Sequence, residues 1–100
     1  MDIISRKEQI QLLIAADNIP EAVRRSMDYI KDFGNNKNDL MEVIVYSNNF
    51  SQLTRMERQG QIDLDDARRR RNQVLFGMLE LIEQVETSFV LVNSANTAQS

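Results

Sequence analysis

From Leu64 onward, Arg71, Leu75, Met78, Ile82, Val85 and Phe89 follow one another at intervals of three or four, flanked by Val74, Leu79 and Leu81. Such spacing lays a wide stripe along one side of a helix but scatters over both faces of a strand, so it predicts a long helix. A helix of this kind cannot bury its stripe alone. The rest of the chain has to supply the cover, and it carries the same period.

Ser5-Arg6-Lys7-Glu8 has the form of a capping box, which starts a first helix carrying Ile10, Leu13 and Ile14. Asp17-Asn18 ends it, since both side chains favour local bonds to the backbone. Pro20 and Glu21 suit the first turn of a second helix with Ala22, Val23, Ser26, Met27, Ile30 and Phe33 inside. Gly34 is expected to close it in the left-handed conformation, with Asn35-Asn36-Lys37-Asn38 as a polar turn. A third helix, Lys37 to Gln59, carries Leu40, Val43, Ile44, Phe50, Leu53 and Met56. At the next corner Gly60 suits a C-terminal cap and Asp63 an N-cap, and Ile62 is placed to staple onto Ala67. Asp65 and Asp66 follow in the first turn, each four residues before an arginine, Arg69 and Arg70.

These elements predict an all-α chain: an antiparallel four-helix bundle, two shorter N-terminal helices packed on a long C-terminal helical hairpin. Residues 1–92 form its single domain, and residues 93–100, small, polar and aperiodic, read as a flexible tail or the start of a linker.

Chemistry is scarce. With 0 histidines and 0 cysteines, the chain lacks the commonest general base, the commonest metal ligand and any thiolate site. No glycine-rich phosphate loop is present, so no cofactor and no metal are expected. Glu42, Glu80, Glu83 and Glu86 read as a solvated helix face, and Asp63-Leu64-Asp65-Asp66 lacks the glycine and distal glutamate of a calcium loop. No apolar run reaches the ~20 residues that span a bilayer, and Met1-Asp2-Ile3-Ile4-Ser5 has no export-signal pattern, so a cytoplasmic location away from membranes is expected.

The run Arg68-Arg69-Arg70-Arg71 invites a nucleic-acid reading, together with Arg24, Arg25, Arg55 and Arg58. At ~100° per residue, however, four successive arginines fan around most of a helix, and a net charge of −3 gives no general pull toward phosphates. Nucleic-acid binding therefore stands as the alternative, with ion pairing and stem packing preferred. Pairing the hairpin about Gln61-Ile62 sets Asn72 opposite Ser51 and Arg71 opposite Gln52, as a buried network that fixes register. Phe89-Val90-Leu91-Val92 is apolar all round and lies beyond the expected reach of the short helices, so either the chain or a partner should cover it.

One ordered set of residues has a family likeness. It comprises Ile14-Ala15-Ala16-Asp17 leading into Glu21-Ala22, Ser47-Asn48 with Leu53, Gly60-Gln61-Ile62-Asp63, Arg71-Asn72-Gln73-Val74 and Leu79-Glu80-Leu81-Ile82. Through them the stretch from Leu12 to Glu83 resembles the effector-associated domains of bacterial conflict systems, most closely their eleventh class. The resemblance implies a compact helical adaptor with no catalytic residue, fused to or paired with peptidases, TIR domains or signalling NTPases. Like-with-like contact would recruit the effector, so the expected partner is an effector protein or another copy of the domain, as a homo-oligomer. Candidate contact residues are Arg24, Arg25, Arg58, Asp65, Asp66, Arg69, Arg70, Phe89 and Leu91, with Gly60, Ile62, Asp63 and Asn72 structural. No effector domain lies within the 100 residues, which reads as an excised domain or a stand-alone adaptor.

Overall fold

The computed structural model describes residues 2–34 and 36–99, with side chains up to Val92. Among these residues there are four helices and no strand: α1 Ile3–Ala15, α2 Ile19–Phe33, α3 Lys37–Arg58 and α4 Leu64–Gln99. α2 and α4 each pack on the other three, whereas α1 and α3 do not pack on each other. The molecule measures 58 × 26 × 17 Å, and α4 sets the long dimension, since 36 residues at ~1.5 Å rise extend about 54 Å.

The helix ends show how local chemistry draws these boundaries. α1 starts before the expected capping box: Asp2 Oδ1 accepts the Ser5 backbone N–H at 2.7 Å, so Ser5 lies inside the first turn and does not cap. A carboxylate is the better acceptor at the positive end of a helix, and that hydrogen bond holds the Asp2 carboxyl below its usual range. The earlier start also brings Ile3 into the core.

α1 and α3 end alike. Asn18 N–H bonds to Leu13 C=O and Asp17 N–H to Ile14 C=O; after α3, Gln61 N–H bonds to Met56 C=O and Gly60 N–H to Glu57 C=O. Both are Schellman motifs, whose pivot must take positive φ. Gly60 does so at 70° and Asp17 at 60°. Glycine adopts that region freely and aspartate at a cost, so Asp17→Gly is expected to raise stability by about 0.5 kcal/mol, a few degrees of melting temperature by circular dichroism. A lower melting temperature would show that the Asp17 side chain contributes more than its backbone costs.

Gly34 departs from expectation, with φ −72° and ψ 136°, which is extended backbone. Its glycine is required by close approach instead, because a Cβ there would sit 2.5 Å from the Ile30 carbonyl oxygen. Asn36 caps α3 by accepting the Asn38 N–H at 2.8 Å, while Asn35 of the expected turn lies outside the described residues. Asp63 caps α4 as expected, accepting the Asp66 N–H at 2.8 Å. α4 then continues to Gln99 instead of stopping at Val92, because residues 93–99 contain neither glycine nor proline to break it. Ser100 of the expected tail lies outside the described residues.

The core gathers Ile3 and Ile10, then Ile19, Val23, Tyr29 and Ile30, then Val43, around Leu75, Met78, Leu81, Ile82 and Val85 of α4. Ile44, expected inside, is 39% exposed. Phe89 is not beyond reach: its ring meets Phe33 edge-on at 5.2 Å between centroids, and Phe33 meets Tyr29 in the same way. The end of α2 therefore covers it. Charges tie down α1, with Arg6 bound to Asp32 at 2.5 Å and lying over the Phe33 ring, and Lys7 lying 3.4 Å from Glu86.

Tyr29 is sealed from solvent, and its hydroxyl meets no partner among the described residues. Burial, then the Glu86 carboxylate, push its phenol well above the ordinary value. A buried hydroxyl without a bond is a net cost, so Tyr29→Phe is expected to stabilise by about 1 kcal/mol in urea denaturation. A loss of stability would reveal a hidden partner for the hydroxyl.

Candidate interaction surfaces

Two helices with small residues on their facing sides leave space between them. Pro20, Val23 and Met27 of α2 face Ser47, Phe50, Ser51 and Thr54 of α3 across an open groove of about 550 Å³. Its floor is apolar and its rim is cationic, formed by Arg24, Arg55 and Arg58. Glu21 binds Arg24 through both carboxylate oxygens at 2.6 and 3.1 Å and also takes Arg25 at 3.1 Å. These two guanidiniums hold the Glu21 carboxyl below its ordinary range, and Glu21 in turn raises Arg24. Arg55 and Arg58 form no ion pair among the described residues, so the α3 side of the rim carries uncompensated charge.

The arginine run is divided by the helix it sits on. Arg71 turns inward, bound to Glu57 of α3 and stacked over the Phe50 ring at 5.7 Å. Arg69 pairs with Asp66 at 2.5 Å, three residues away, in place of the expected i,i+4 pairing of Asp65 with Arg69 and Asp66 with Arg70. Arg68 and Arg70 are exposed on different sides. Arg70 lines a hollow with Gln52 and Gln73 between α3 and α4, and Arg68 lies beside Asp65, Asn72 and Phe76 on the outer face.

The expected buried polar network is absent. Asn72 is exposed on the outside of α4, whereas Ser51 belongs to the α2–α3 groove, so the two do not meet. Arg71 finds Glu57, a longer-reaching and charged partner, instead of Gln52. Near the corner Ile62 is half-buried and Ala67 fully buried. Of the C-terminal candidates, Phe89 joins the core while Leu91 remains 64% exposed.

Sequence reasoning passed over the most exposed aromatic. Phe76 is 72% exposed in mid-helix, on the side of α4 turned away from the core. The available signal was its place between Leu75 and Gly77, off the apolar stripe, where a solvated helix face normally carries a polar residue.

A family model for effector-associated domain 11 matches residues 5–86. No curated protein and no solved structure matches the chain.

Proposed function

We propose, for a chain that belongs to the effector-associated domain 11 family, a non-catalytic role: an adaptor that recruits or oligomerises effector proteins through like-with-like domain contacts. The observation that carries this reading is the match across residues 5–86, which takes in all three interhelical turns and the α4 core from Ala67 to Val85. The absence of histidine and cysteine supports it, as do an apolar-floored groove and an exposed aromatic, which suit contact with a partner. Peptidase, TIR or NTPase effectors of a bacterial defence or signalling system are the partners the family suggests. Arg69 and Arg71 already hold carboxylates, which favours this reading over phosphate binding. Among the described residues no helix is long and apolar enough to cross a membrane.

An antiparallel bundle suits such an adaptor, and the contacts support that arrangement. Glu57 meets Arg71 close to the α3–α4 turn, and Tyr46 lies against Gly77 farther from it. The adaptor role is tested by passing an effector that carries a related domain over the immobilised chain. Retention that disappears when that domain is removed from the effector is the expected result. An effector that flows through, from a chain that also never self-associates, would overturn the role.

A further inference from the structure

The groove is built by α2 and α3 alone, and Phe76 stands on the outward side of α4, so one copy cannot bring the two together. We propose that they are the halves of one contact, in which the Phe76 face of one copy docks into the α2–α3 groove of the next. The inference rests on the like-with-like reading above and names its two faces.

Shape supports the pairing first. A groove of about 550 Å³ exceeds any single side chain, so it takes a helix face with one large anchor, and a rigid aromatic in an apolar recess is the usual centre of such an interface. Charge then sets the direction. Glu80 and Glu83 follow Phe76 on the outer face of α4; Glu80 has no ion pair among the described residues, and Glu83 only a loose one, 3.8 Å from Lys7. Across the contact they meet Arg55 and Arg58, the uncompensated side of the rim. On the other flank of Phe76, Arg69 is held by Asp66 and the exposed Arg68 lies beside the exposed Asp65, so that flank carries no net charge. The reverse orientation forgoes the meeting of Glu80 and Glu83 with Arg55 and Arg58.

Because the groove opens between α2 and α3 while Phe76 stands on the outward side of α4, the two faces point in different directions and the proposed contact is head-to-tail. Every copy that docks leaves its own groove open and every copy that receives leaves its own Phe76 free, so assembly grows as a chain or ring instead of stopping at two. Effectors carried on successive copies would be brought side by side.

The test follows the mass of the 100-residue chain by light scattering over a concentration series. The unaltered chain is expected to pass beyond the dimer. Phe76→Asp, and separately Arg55→Glu with Arg58→Glu, are expected to remain monomeric with helicity retained, since all three positions are exposed. Mixed in equal amounts, the two variants each keep one working face and are expected to form a dimer that grows no further. Arg55→Gln with Arg58→Gln, which places no acid at the end of α3, should weaken association in the same direction. If the unaltered chain associates and the variants do so equally, this contact is overturned while like-with-like recruitment stands. A mixture that stays monomeric overturns the pairing of the two faces. An unaltered chain that is monomeric throughout overturns it as well, and effector capture then decides the broader role.

Discussion

Replacing Ile82 with alanine should remove about 4 kcal/mol from the stability of this domain, a large part of the ~5–15 kcal/mol that holds a typical domain folded. Ile82 is fully buried, as are Met78 before it and Tyr29 of α2 in the same cluster. α4 is packed against all three other helices, so its backbone cannot sink into the vacated space without drawing them along. The cavity then stays open, and the lost transfer energy is joined by the lost contacts of its lining. Urea denaturation should show a lower midpoint with an unchanged slope. A loss near ~1 kcal/mol would mean that the helices close over the gap, and that the core is looser than its burial indicates.

Gly77→Val should cost about 3 kcal/mol for the opposite reason, too much matter in place of too little. A Cβ at Gly77 would lie 2.7 Å from the Tyr46 hydroxyl oxygen and 2.8 and 2.9 Å from ring carbons, so the tyrosine lies directly on the α4 backbone. Burial, followed by the Glu42 and Glu80 carboxylates, raises the Tyr46 phenol above its ordinary value, in keeping with a ring lodged between the helices. Valine branches at Cβ and cannot turn both methyls away, so α3 and α4 must part or Tyr46 must leave. Tyr46→Ala in the same chain should recover roughly half of the loss, a coupling typical of residues in direct contact. Additive costs for the two substitutions would show that the ring moves aside freely.

The sequence made the helices legible because their period is local information: each turn of Leu, Ile and Val states which side is apolar. The corner at Gly60 and Asp63 was legible for the same reason, since caps and pivots act over four or five residues. What stayed hidden depends on lengths and distances between helices. Ile44 lies on the apolar side of α3 yet is uncovered, because cover depends on where neighbouring helices run. Phe89 was expected to lie beyond the reach of the short helices and is sheltered by one of them, because the end of α2 reaches it. Arg71 was correctly placed on the seam, but its partner Glu57 could be found only once the two helices were side by side. The α2–α3 groove joins residues from Pro20 to Arg58, and no window of sequence contains such a surface.

α1 touches α2 and α4 but not α3, and it gives only Ile3 and Ile10 to the buried core. Its other ties are Ile14 packed against that core, the Arg6 guanidinium over Phe33, and the ion pairs of Arg6 and Lys7, which salt weakens. The domain is thus a three-helix body closed by a clasp. Loosening the clasp would uncover one flank of α2 and leave standing the groove on its other flank, which α1 does not line.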